Sequence, residues 1–243
     1  MDNILDTKKG NMELTYGRVI TGVFKAVNPI KRIAMETPCI VHQYINNNSL
    51  NILENEGYIK EAYFYRTFIN SLNEGVTFAD QDFKSINHFY STDKKRGLYG
   101  FSNALVEAQK YKLKAIYYME IGNIPKSIFY LGAAAHLIQD MTVPQHANNR
   151  LLNSHKSYET WIKKNIFQDN SYMKKEGIIR LESLKDYIVE NGKYSNIVYK
   201  DQSSKNSNNK ELYRDMSKIL LDRAHTTTAG FLLYFYNKYY DTI

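Results

Sequence analysis

Apolar residues recur along this chain at the three- and four-residue intervals of an amphipathic helix, and no alternating run long enough for a strand interrupts them. The pattern predicts a first helix over 14–30, with Val19, Val23, Ala26 and Val27 on one side and Pro29 near its end. A second is expected from about Pro38 to Glu54, where a proline suits the first helical turn. A third reads from Tyr58 to Leu72, closed by Asn73, Glu74 and Gly75. Residues 76–100 hold no sustained period and read as a long loop. Ser102–Ile121 forms a strong helix stopped at Gly122 and Asn123, and Pro125 opens another that runs through FYLGAAAHLI to about Met141. Pro144 then breaks the chain. Further helices are expected over Ser154–Phe167 and Ile178–Glu190. The last runs over Glu211–Tyr240, after the polar, turn-rich KDQSSKNSNNK of 200–210. The fold class expected is all-α, a single multi-helix domain.

A chain of 243 residues can bury one good core. It has no run of about eighteen apolar residues, so no membrane-spanning helix is expected. Lys and Arg outnumber Asp and Glu by 32 to 25, a net charge of +7. That balance suits a phosphate-bearing or anionic-surface partner, although a solvated basic surface is its commoner meaning. Cys39 is the only cysteine. It excludes an intrachain disulfide, and no thiolate metal site is expected. The first 24 residues place lysines at 8 and 9 and hold no long apolar segment. The chain thus reads as cytoplasmic as written, or as secreted if it is the processed form of a longer one.

The candidate chemistry lies in the company the histidines keep. In HLIQDMTVPQH, His136 and Asp140 are four apart and share a helix face. His146 follows Pro144, which can turn its imidazole back toward that pair. In SHKSYETWI, His155 and Glu159 repeat the spacing on the next helix. Two facing helices, each with a histidine and a carboxylate, can form a nitrogen-and-oxygen cage that suits zinc. Asp80 and His88 lie in the aperiodic stretch, where a scaffold can place ligands freely. His42 lies in the first turns of the second helix. Each has a bland alternative, since His–carboxylate pairs four apart are often modest surface ion pairs. His136 is different, because its helix is apolar enough to be buried and a buried His and Asp without partners would be expensive. His225 has only Asp222 near it in sequence and reads as structural.

These residues resemble the bacterial zinc-dependent phospholipase C family. FYLGAAAHLIQDMTVPQHANN is similar to that family's FYLG…H-x-x-x-D-x-x-x-P-x-H-A-x-N signature with its spacings intact, and SHKSYE resembles the element that follows it. The FAD ending at Asp80, the NHFY around His88, VHQYINNNSLNIL around His42 and the closing HTTTAGFLLYFYNKYYD resemble further family elements. The likeness spans roughly 36–240 and is specific through 128–160. It implies an N-terminal extension over 1–35 and a catalytic domain over 36–243 that binds two to three zinc ions. One ion would take Asp80, His88, His136 and Asp140. A second would take His146, His155 and Glu159. A third would take His42, share Asp140, and draw on the free N-terminal tryptophan of the family. The resemblance also makes Asp80 the candidate general base.

Two departures qualify this picture. The only tryptophan is Trp161, so the third ion lacks its family ligand and is expected to be weakly held or absent. Gln81 stands where choline-preferring members carry tyrosine, and no lipid-binding β-sandwich is expected after the last helix. The function expected is hydrolysis of a phospholipid, or another phosphodiester, to diacylglycerol and a phosphorylated head group, with peripheral membrane contact. The alternatives are a single-strand nuclease of the same fold, which Glu159 and HANN disfavour, or a metal-binding protein that has lost catalysis.

Overall fold

A computed structural model describes residues 39–98, 102–148, 153–205 and 208–241, without the side chains of 82, 83, 85, 153–156 and 209. The expected helix over 14–30 and the extension over 1–35 lie outside the described residues. In order come α1 (Ile40–Asn55), α2 (Ile59–Thr67), α3 (Ile69–Asp80), a 3-10 turn over Asp82–His88, α4 (Ala104–Glu120) and α5 (Ile124–Asp140). They are followed by α6 (Pro144–Ala147), α7 (Asn153–Asn165), a short 3-10 turn over Asn170–Tyr172, α8 (Leu184–Ser203) and α9 (Asn209–Phe235), which ends in a π turn over Tyr236–Tyr240. Among the described residues there is no strand, only an isolated bridge between Ser91 and Arg96. The all-α expectation holds. No helix among them is long and apolar enough to cross a membrane.

Helix α5 is the axis of the domain. Every residue from Leu131 to Asp140 is buried, as expected of a helix that is apolar nearly all round. Its start is well specified: the Asn123 side chain accepts from Lys126 N, with Pro125 in the first turn. Gly122, at φ 73°, closes α4 just before it. Helices α3 and α4 flank α5, and α8 and α9 touch it.

The structure departs from the sequence expectation at two glycines. Gly75 does not end a helix; α3 runs through it to Asp80. A Cβ on Gly75 would stand 1.9 Å from the Phe129 carbonyl oxygen, and one on Gly132 would stand 2.1 Å from that of Leu72. Both glycines let α3 and α5 touch backbone to backbone. Asp80 therefore sits at the end of a helix rather than in a loop. The break falls earlier instead, at Phe68, between α2 and α3.

The helix expected over 178–190 is also displaced. Ser183 caps α8, its side chain accepting from Asp186 N, and α8 continues past Gly192 to Ser203. Residues 178–181 form an extended strap on α9. There Ile179 N donates to the Thr226 carbonyl, and the Tyr187 hydroxyl accepts from Leu181 N. The apolar Ile178, Ile179 and Leu181 suited a helix face by composition, but they serve as packing for a strap.

Helix contact through Gly75 has a measurable consequence. Gly75→Ala should destabilise the fold by at least about 3 kcal/mol, the upper range for overpacking against backbone that cannot yield. Gly57→Ala meets no atom within 4 Å. It should cost only about 1–2 kcal/mol, from its positive φ alone. Urea unfolding of both variants checks the order, and equal losses would mean that α3 and α5 can slide apart.

Candidate metal centre

Asp140 ends α5 and is 4% exposed. A carboxylate there faces the negative end of the helix dipole and is cut off from water, so both terms disfavour it without cationic partners. Its partners are imidazoles. Asp140 Oδ2 lies 2.8 Å from His88 Nδ1, 3.1 Å from His136 Nε2 and 4.0 Å from His146 Nδ1. Asp140 Oδ1 faces His42 Nε2 at 3.4 Å. The two carboxylate oxygens thus serve different histidines, which is the disposition of a bridging ligand.

Each imidazole is aimed by its own element. His136 is one turn before Asp140 on α5 and is 1% exposed. His42, in the first turns of α1, stacks on the His136 ring with centroids 3.9 Å apart. His88 leaves the 3-10 turn with Nε2 3.0 Å from the Ala79 carbonyl. His146 follows Pro144, which opens α6 rather than merely breaking the chain. It is held by Tyr90 N donating to its carbonyl and by stacking on Phe89 at 4.8 Å. The prediction that Pro144 turns His146 back toward the pair is met.

The hydrogen-bond roles fix which nitrogens are bare. Gln139 Nε2 donates to Asn46 Oδ1 and to Thr228 Oγ1, so its Oε1 must be the acceptor that faces His42 Nδ1 at 2.8 Å. His42 therefore carries its proton on Nδ1 and turns a lone pair toward Asp140. Burial, with His136 stacked against it, pushes the His42 pKa down to about 4, which keeps it neutral near pH 7. The Ala79 carbonyl can only accept, so His88 Nε2 is the donor and its Nδ1 is bare when neutral. That bare nitrogen lies 2.8 Å from Asp140 Oδ2 and 3.3 Å from His136 Nε2. Lone pairs this close repel unless a proton or a metal ion lies between them.

The donor set fits zinc. Neutral imidazoles and carboxylates are its ordinary nitrogen and oxygen ligands, and a tetrahedral ion with bonds of about 2.0–2.1 Å holds its ligand atoms roughly 3.3 Å apart. The electrostatics point the same way. Burial opposes charge on His136, but Asp140 outweighs it and holds the imidazole well above its usual range. Burial lifts Asp140, and His136 and His146 outweigh that and hold it well below. The pocket demands positive charge. Asp80, His88 and His136 also bring ligand atoms within 4.8 Å of one another. Asp80 stands at the exposed rim, where burial of its carboxyl is outweighed by His136 and its pKa stays below the usual range.

Two residues at the centre, Cys39 and Gln139, were not expected from the sequence, and two that were, His155 and Glu159, have no described contact with it. Cys39, 6% exposed, donates its thiol to Asp80 Oδ2 at 3.2 Å. Gln139 orients His42, and only its place beside Asp140 could have singled it out. The side chain of His155 lies outside the described residues, and Glu159 is half-buried on α7.

The zinc-dependent phospholipase C family model matches residues 41–227. The chain belongs to that family. A protein called phospholipase C from Listeria monocytogenes is 28% identical over 170 residues, covering 63% of this chain and 58% of its own. The fold is similar to that of the alpha toxin from Clostridium absonum, with a TM-score of 0.71 and 18% identity over 84% of this chain and 65% of that one. The alpha toxin of a Clostridium perfringens avian strain gives 0.70 and 20%, over 84% and 64%. The chain spans less than two thirds of these proteins.

His225 stands apart from this centre. It is fully buried, and neither ring nitrogen has a hydrogen-bond partner among the described residues. Burial pushes its pKa from 6.5 down to about 3. Since the unfolded chain takes up this proton first, its share of stability is intact above pH 6.5 and lost as pH falls toward 3. The loss is roughly 1.4 kcal/mol per pH unit. Between pH 7 and pH 4.5 the wild type should lose roughly 2–3 kcal/mol more than His225→Leu. Urea titrations at both pH values measure the difference, and parallel losses would mean the imidazole finds a partner.

Proposed function

We propose that this chain is a zinc-dependent phosphodiester hydrolase of the phospholipase C type, cleaving phospholipid to diacylglycerol and a phosphorylated head group. The observation that carries the reading is the convergence of His42, His88, His136 and His146 on the two oxygens of Asp140. His88, His136, Asp140 and Asp80 would hold one ion, and His42 with the other oxygen of Asp140 would hold a second. His146, with His155 and Glu159, would serve a further one. Zinc held there would supply Lewis acidity and charge neutralisation toward phosphoryl oxygens.

The chain's own groups account for the rest. Asp140 and Asp80 are ionised at neutral pH, because His136 holds both below the usual carboxylate range. Asp80, at the exposed rim, would offer one carboxylate oxygen to the ion and is placed to accept a proton from an attacking water on the other. His42 is kept neutral and aimed by Gln139. Burial of Asp140 and His136 keeps bulk water from competing for the centre.

Elemental analysis of the purified full chain should find at least two zinc ions. Chelator-sensitive release of diacylglycerol from mixed phospholipid micelles should accompany them. Asp140→Asn should lose more than one ion and about a thousandfold in kcat/KM, as for loss of a charge-stabilising group. Asp80→Asn should keep most of the metal yet lose about 10²–10⁴ in kcat. Hydrolysis of single-stranded DNA with no release of diacylglycerol would transfer the reading to a nuclease. Zinc-free protein would end it.

A further inference from the structure

We propose that Cys39 is a thiolate ligand of the ion beside His42, giving this centre one sulfur donor among its nitrogens and oxygens. The inference rests on the zinc reading above. Cys39 is the N-cap residue of α1, a position where Ser, Thr, Asp or Asn usually bonds the first-turn amides. Its side chain makes no capping hydrogen bond. The thiol is turned inward instead, 6% exposed, onto the Asp80 carboxylate.

The three-residue spacing puts Cys39 and His42 on one face of the first turn. Together with His136 they bring three ligand atoms within 4.8 Å of one another, a triad that shares only His136 with the group of Asp80, His88 and His136. An independent feature points into the same place. His136 Nδ1 is buried and has no hydrogen-bond partner among the described residues, while its Nε2 faces Asp140. With Nε2 turned to Asp140 as a metal-binding lone pair, Nδ1 carries the ring proton. A buried N–H without an acceptor is costly, and a Cys39 thiolate, already in electrostatic contact with His136, would supply the acceptor while Cys39 and His42 hold the ion. The thiol proton already points at Asp80 Oδ2. On metal binding it leaves through that carboxylate to solvent, and the sulfur keeps its electron pair for the ion.

Cobalt(II) is the probe, because sulfur ligation adds a near-ultraviolet charge-transfer band to its visible d–d spectrum. Reduced, metal-stripped full chain should show both on titration with cobalt. Cys39→Ser should keep the d–d bands, lose the charge-transfer band, and hold the ion beside His42 at least tenfold less tightly. Should that variant not fold, zinc-edge X-ray absorption of the wild type decides instead, with sulfur expected at about 2.3 Å. A filled d–d spectrum without the sulfur band, or zinc with nitrogen and oxygen neighbours only, overturns the role of Cys39 and leaves the histidine cluster standing. No cobalt uptake at all would remove the cluster and this ligand together.

Discussion

A buried carboxylate at the wrong end of a helix is the constraint on which the rest of this structure depends. Asp140 sits where the dipole of α5 and the loss of water both work against its charge. Leaving such a group unpaired costs several kcal/mol. The surrounding elements are arranged to avoid that. Gly75 and Gly132 let α3 and α5 touch, the 3-10 turn delivers His88, Pro144 returns His146, and α1 stacks His42 on His136. Each imidazole also competes with its neighbours, since bare nitrogens lie close together. A shared cation would resolve both problems at once. Metal bound only by the folded state would also add to the stability of the domain.

Much of this was legible in the sequence because the chemistry is local. His136 and Asp140 share a face by their spacing, and Pro144 and His146 follow at a distance a short turn can span. The helix boundaries around α4 and α5 were legible for the same reason, since Asn103, Gly122, Asn123 and Pro125 are local signals. Gly75 misled because glycine has two meanings. It ends helices where φ is positive, and it admits a neighbouring backbone or side chain where space is short. Only the three-dimensional contact with Phe129 tells these apart. The strap over 178–181 was illegible because an apolar run does not say whether its partner is its own helix or another.

Cys39 shows a different limit. On sequence alone a single cysteine gives no expectation of thiolate coordination, because thiolate ligands usually come in sets. Three-residue spacing between Cys39 and His42 was available in the sequence, but it gained meaning only once Asp80 and His136 arrived from distant parts of the chain. Gln139 was hidden likewise. Its role depends on Asn46 and Thr228, which come from α1 and α9 and fix its amide so that His42 must present a bare nitrogen.

The central claim is that a metal ion, and not a proton, lies between Asp140 and its histidines. Anomalous diffraction at the zinc edge, from crystals of full-length protein grown without added metal, tests it most directly. The account predicts strong peaks within bonding distance of both Asp140 oxygens, one shared with His88 and His136 and another with His42. An anomalous map without peaks there, with Asp140 and the imidazoles still in contact, would show that protons hold the cluster together and would contradict the account.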